Sequence, residues 1–266
     1  ITSDLYHGYI PLDGDTQIFA PLVIDGHCGG AGNPLATAPC CYMNCGNGEP
    51  HYGVVIHEMG HNFHEAPGMS QLLWANEGRF GNERVYECIA SFPFIYFFNE
   101  ISQNGDQYGI GPGTFEWAQM DQWAKNDRDD WYILEEFEEL LSTGQSTGFF
   151  DNPGLFDSVG IFCIFFQAYM YGYDDYGTPY GYEMIRRFLN IFDKDELPDF
   201  QEDKVETYFA AAFSISAGSD QREQLRHWGF TIDDDFYTQI EPILADKLIT
   251  DTDILFADSF EGTGSP

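Results

Sequence analysis

The sequence predicts an α+β fold, with a small N-terminal sheet and one functional helix followed by a mainly α-helical C-terminal part. Three observations predict it. Residues 1–50 are rich in Gly, Pro, Asn and Asp and hold one extended apolar run, from Gln17 to Ile24. From about Gly53 onward, long segments carry apolar residues three and four apart, the spacing of an amphipathic helix. Gly and Pro cluster between those segments, where the chain must turn.

Taken in order, the run from Gln17 to Ile24 reads as a strand and is the candidate edge to which an extended peptide would add. Helices are expected at about 53–65, 80–100, 129–142, 157–172, 181–192, 201–217 and 234–247, with Phe188, Ile191 and Phe192 showing the spacing. No internal repeat interrupts the series. A single domain is expected over 1–250. Within it, 1–66 forms the strand and loop part with the functional helix, 67–250 forms the helical subdomain, and a cleft runs between them. The stretch 251–266 is acidic and offers only Ile254, Leu255, Phe256 and Phe260 for packing, so it reads as a loosely held tail.

Composition bounds the partners. The 266 residues include 44 acidic and 11 basic side chains, a formal charge of −33. Phosphate backbones and anionic membrane surfaces are held by Lys/Arg clusters, and the one adjacent pair here is Arg186-Arg187. Nucleic acid and membrane are therefore excluded as partners. No apolar run reaches the roughly 18 to 20 residues needed to span a bilayer, the richest being Val159 to Met170. With 43% hydrophobic residues the chain can build a core, so its acidity is not that of a disordered segment. A monomer is expected.

The chain opens at Ile1, and four of its six cysteines, Cys28, Cys40, Cys41 and Cys45, crowd into one stretch. Both features suggest an exported chain in an oxidising setting, secreted to the extracellular space or the periplasm. The adjacent pair Cys40-Cys41 and the lack of a CxxC favour disulfides stapling a loop over a second zinc site. Cys88 and Cys163 lie in apolar helical runs, where they either pair or remain buried thiols.

The chemistry concentrates in Val54-Val55-Ile56-His57-Glu58-Met59-Gly60-His61-Asn62-Phe63-His64. Residues four apart share a helix face, so His57 and His61 can offer two imidazole nitrogens to one metal ion. Glu58 sits one step round, within reach of a metal-bound water as its general base. Zinc suits such a site because it accepts N/O ligands and lowers the pKa of its water to about 7. Gly60 stands where close helix packing needs a small residue. HExxH also arises by chance on amphipathic helices; the apolar run before it and the carboxylate-bearing helix after it favour the metal.

Two imidazoles leave zinc short of a protein ligand. Metzincins continue with Gly three residues and a third His six residues after the second His; here those positions hold His64 and Pro67. A downstream Glu is the alternative, and Glu77, Glu83 and Glu87 are the candidates. The 21 residues between His61 and Glu83 suffice for a helix to end, a loop through Pro67-Gly68 to turn and a second helix to arrive. Glu83 and Glu87 share a face, so Glu83 is expected to bind zinc while Glu87 fixes a ligand imidazole through its free N–H. Glu77 lacks such a partner, its +4 position being Gly81.

The string Asn82-Glu83-Arg84-Val85-Tyr86-Glu87 resembles the ligand helix of thermolysin-like gluzincins, and Trp74-Ala75-Asn76-Glu77-Gly78 is similar to that of aminopeptidase-type gluzincins. A wider set of residues resembles the M60-like (enhancin, mucin-degrading) peptidase family in order and spacing. These are His57 to Asn62, Glu83, Phe166-Gln167-Ala168-Tyr169, Ser216-Ala217-Gly218-Ser219-Asp220 and His227-Trp228-Gly229-Phe230. The chain departs from that family at His64, where the family has Gln, and in the Cys-rich segment; residues 1–50 are not covered. The resemblance implies a zincin-like version of the α+β fold and a zinc endopeptidase acting on glycoproteins.

Other residues have weaker claims. His64, three after His61, reads as a neighbour of the ligands or as a surface or capping group, and His51 as structural. His227 and the tyrosines Tyr169, Tyr171, Tyr173 and Tyr176 are candidates for the donor aimed at a developing oxyanion, with packing as their default role. The stretches Asp127 to Asp130, Asp193 to Glu196 and Asp233 to Asp235 offer oxygen ligands for calcium, although none fits the EF-hand spacing and a solvated acidic face is the commoner meaning. The expected function is a secreted zinc-dependent endopeptidase with a protein or glycoprotein substrate. The alternative is a zincin-fold binding or adhesion protein that recognises glycan or protein without turnover, and the intact Glu58 argues against it. An accidental motif in a structural or inhibitory protein is the third reading.

Overall fold

In the computed structural model, residues 18–19, 29–30, 35–37, 52–62, 64, 66–74, 83–128, 132–143, 159–173, 176–192 and 195–251 are described. Their helices run α1 (Tyr52–Asn62), α2 (Pro67–Trp74), α3 (Glu83–Asn104), α4 (Phe115–Arg128), α5 (Tyr132–Ser142), α6 (Val159–Tyr171), α7 (Glu183–Ile191), α8 (Val205–Ala217), α9 (Arg222–His227) and α10 (Asp234–Asp251). Short 3-10 turns at Gly105–Tyr108 and Glu202–Lys204 lead on from α3 and into α8.

The α+β expectation is corrected: the described residues are overwhelmingly α-helical, and the expected N-terminal sheet is represented only by three strand fragments beside α1. Extended backbone amounts to Ile18–Phe19 running parallel to Leu35–Ala36, and Gly29–Gly30 running antiparallel to Ala36–Thr37. Pieces of two or three residues fall well short of the roughly five-residue strands of ordinary sheets, and Gly29 and Gly30 have no side chain to bury. The presumed peptide-binding edge is described only at Ile18–Phe19. Cys28, Cys40, Cys41, Cys45, His51, Glu77 and the tail beyond Asp251 lie outside the described residues.

Two helices are apolar around most of their circumference, and these form the centre of the molecule, as expected for helices surrounded by others. In α8 the residues Val205, Tyr208, Phe209, Ala210, Ala211, Ala212 and Phe213 are buried, and the three alanines let neighbours approach closely. In α6, Phe165, Phe166, Tyr169 and Met170 are buried. Phe166 packs against Phe92 of α3, Phe188 of α7 and Phe213 of α8, at ring separations of 4.6 to 4.8 Å. Trp228 is fully buried and stacks on Phe165 at 4.1 Å. A disulfide between Cys88 and Cys163 ties α3 to α6.

Three helices were not anticipated from the sequence, and local chemistry accounts for two of them. In α4, Thr114 acts as the N-cap, its Oγ1 accepting the Trp117 N–H at 3.1 Å. In α2, Pro67 opens the helix, where its missing N–H costs nothing. The remaining one, α9, is a six-residue link between α8 and α10. At the C-terminal end, Asp233 caps α10 through Phe236 N–H at 3.0 Å and pairs with Lys204 at 2.7 Å. Among the described residues no helix is long and apolar enough to cross a membrane.

Candidate metal centre

The site forms where α1 crosses α3. A Cβ at Gly60 would lie 2.2 Å from the Ala90 carbonyl oxygen, so glycine alone permits this approach of the two backbones. Close contact sets the His57–His61 face of α1 against the Tyr86–Glu87–Ser91 face of α3. Glu87 Oε2 lies 3.0 Å from His57 Nε2 and 3.5 Å from His61 Nε2. These three groups are the one cluster of potential metal ligands among the described residues, with all their ligand atoms within 4.8 Å of one another.

The spacing fits an ion. Two atoms each about 2.1 Å from a tetrahedrally bound zinc lie about 3.4 Å apart, and the two Glu87 contacts fall on either side of that value. Hydrogen bonding points the same way. The Ser91 hydroxyl donates to the Glu87 carbonyl at 3.0 Å, which leaves its oxygen to accept the His57 Nδ1–H, also at 3.0 Å. With its proton on Nδ1, a neutral His57 presents the Nε2 lone pair to the Glu87 carboxylate, and a cation between them would satisfy both; with its proton on Nε2 it donates to that carboxylate at 3.0 Å. Burial disfavours the doubly protonated ring: it pulls the His57 pKa below its ordinary value, against the opposing pull of Glu87. His61 is brought down to about 4, first by burial and then by His57. A donor set of two neutral imidazoles and one carboxylate is that of a catalytic zinc site.

Glu58 is half-buried beside this cluster. Burial, and after it the negative charge of Glu87, pushes its carboxyl up to about 7. Tyr86 stacks on His61 at 4.7 Å and meets His64 at 4.2 Å. His64 is 2% exposed, and both its ring nitrogens are buried without a hydrogen-bond partner, as is Nδ1 of His61.

The structure therefore brings His57, His61 and Glu87 together and places Glu58 next to them. Glu87 meets the two Nε2 atoms, on the ligand side of the imidazoles, while Ser91 takes the supporting place at Nδ1 that the sequence reading had given to Glu87. Glu83 begins α3, one turn earlier, and its side chain lies outside the described residues. Sequence reasoning missed Ser91 and Tyr86. Ser91 stands four residues beyond Glu87, so the same four-residue logic extended by one turn would have found it.

The remaining candidates are held elsewhere. His227 Nε2 and Tyr176 OH bond to Glu138 at 2.7 and 3.1 Å, Tyr169 OH donates to Gln221 at 2.6 Å, and Tyr171 OH accepts from Asn99 at 2.9 Å. Trp228 Nε1 also donates to Glu138, at 2.7 Å, so this carboxylate ties α5 to α9 and the residue after it. Asp234 pairs with Arg222 and Arg226 at 2.6 and 2.8 Å. A cavity of about 540 Å³ opens between the end of α8 and α10, lined by Ser219, Asp220, Arg222, Tyr237 and Glu241 among others, and none of its lining residues belongs to the metal cluster.

Comparison with protein-family models, curated proteins and solved structures finds no match to this chain. The functional reading therefore stands on the geometry of α1 and α3.

Proposed function

We propose that this chain is a zinc-dependent endopeptidase of the HExxH-plus-glutamate type, exported from the cell and acting on protein or glycoprotein substrates. The observation that carries the reading is the convergence of His57 Nε2, His61 Nε2 and Glu87 Oε2 at contacts of 3.0 and 3.5 Å, with Glu58 alongside. His57, His61 and Glu87 would hold the ion, and the assignment of Glu87 in preference to Glu83 follows from its contact with both Nε2 atoms. When bound, zinc supplies Lewis acidity, polarising a carbonyl oxygen and making water acidic near neutral pH.

Glu58 is the general base. Half-buried beside the ligand cluster, its carboxylate can take a proton from water and, once protonated, pass it to a leaving amine. Ser91 holds His57 in the tautomer that leaves Nε2 free for the ion. The disulfide at Cys88, next to Glu87 in sequence, supports an oxidising extracytoplasmic setting.

The test combines metal analysis with turnover. Purified protein should bind one zinc per chain and cleave an unfolded protein substrate. Glu58→Gln should keep the zinc and lose peptidase activity by several orders of magnitude. A chain that takes up no zinc, or a Glu58→Gln variant with undiminished turnover, would overturn the assignment.

A further inference from the structure

We infer that His64 is the hydrogen-bond acceptor that orients His61 for metal binding, a positioning residue matching the one Ser91 provides for His57. The inference rests on the metal-centre reading and adds a specific part to it.

A ligating imidazole binds through one nitrogen and donates the N–H of the other, and that second bond fixes both the tautomer and the ring plane. His57 meets this requirement through Ser91 Oγ at 3.0 Å. His61 does not: its Nδ1 is buried and unpaired. The ring of His64 lies against it edge-on, with centroids 5.2 Å apart and an interplanar angle of 84°. Both nitrogens of His64 are themselves buried and unpaired, and Tyr86 packs on both rings, closing them off together.

Three imidazole nitrogens without partners in one buried corner are hard to explain as packing, since an apolar side chain at position 64 would avoid the desolvation that they suffer. A role toward the ion explains them. Once His61 Nε2 is committed to a metal, its proton is confined to Nδ1 and must find an acceptor. The neutral His64 ring has one lone pair to give; from ring centroids now 5.2 Å apart, an N–H···N bond of about 3 Å requires the ring to turn a nitrogen toward His61 Nδ1 when the ion binds.

The experiment compares His64→Phe and His64→Gln with the parent chain, each measured by zinc competition against a chromophoric chelator and by thermal unfolding without metal. His64→Phe removes two unpaired nitrogens from the interior, so the metal-free variant should melt no lower than the parent. Its zinc affinity should nevertheless fall about 10- to 100-fold. His64→Gln keeps an acceptor oxygen and should recover part of the loss. In zinc-loaded parent protein, proton–nitrogen NMR should show a slowly exchanging His61 Nδ1–H that disappears in His64→Phe. Zinc binding by His64→Phe as tight as the parent's overturns the inference while leaving the metal centre standing. A loss of affinity equal in both variants and accompanied by lower melting marks a packing role and also overturns it. A parent chain that binds no zinc sinks the metal centre and this inference together.

Discussion

The Ala90 carbonyl oxygen lies 2.2 Å from the place where a Cβ on Gly60 would fall. This one contact sets the separation of α1 and α3, and therefore whether His57 and His61 can share an ion with Glu87. Gly60→Ala must push the helices apart, because backbone rather than a movable side chain blocks the methyl group. It should destabilise the metal-free protein by roughly 1–3 kcal/mol in urea unfolding, as overpacking does, and weaken zinc binding as well. An alanine variant with parental stability and affinity would show that the approach is looser than described.

The ligand assignment separates Glu87 from Glu83. Glu87→Ala should abolish most of the zinc affinity, because it removes one of three protein donors. Glu83→Ala should leave affinity within a fewfold of the parent. Ser91→Ala, which frees the His57 ring, should fall between them, with a loss of about 10- to 100-fold. Competition titration measures all three, and a larger loss for Glu83→Ala than for Glu87→Ala would move the third ligand one turn back along α3.

The pH dependence of stability follows from two opposed shifts. An unfolded histidine takes up its proton below about 6.5, whereas folded His61 refuses it until about 4, so stability contributed by neutral His61 is lost as pH falls through that window. His57 and His64 are lowered as well and act in the same direction. Glu58 acts in the opposite one: folded, it holds its proton up to about 7, while unfolded it releases it from about 4.5, so it stabilises the fold as pH falls from 7 to 4.5. Melting of the metal-free protein should drop between pH 6.5 and 4.5. The drop should steepen in Glu58→Gln, which should also melt above the parent at pH 8. Parallel melting profiles for the two proteins would contradict the shift assigned to Glu58.

The Cys88–Cys163 bridge spans 75 residues of sequence and fastens α3, which carries Glu87 and Ser91, to the central α6. Replacing both cysteines with alanine should cost about 2–5 kcal/mol, chiefly by freeing the unfolded chain, as read by denaturant unfolding under non-reducing conditions. Thiol titration of native protein should find neither cysteine free.

What the sequence determined by itself is local. Four-residue spacing places His57 and His61 on one face of any helix that includes them, and the lack of a side chain at Gly60 marks a close approach whatever the partner. The three- and four-residue periodicity and the lengths of the apolar segments located α1, α3, α5, α6, α7, α8 and α10. They did not disclose α2, α4 and α9, which are short or polar; Pro67 opens α2 and Thr114 caps α4, while α9 is a six-residue link. Of the Gly- and Pro-rich N-terminus, the described residues form only paired fragments of two or three residues, since a strand layer needs partners of similar length.

Only the tertiary structure brought Glu87 to the two imidazoles. Glu83 and Glu87 are equivalent in spacing logic, and the side chain of Glu83 lies outside the described residues; what places Glu87 is how far α3 slides along α1, where Gly60 meets Ala90. That register carries Glu87 to both Nε2 atoms and Ser91 to Nδ1 of His57. It also buries His64 beside His61 under Tyr86; the three-residue spacing places the two histidines near each other, but the covering ring comes from α3 and only the packing of two helices supplies it.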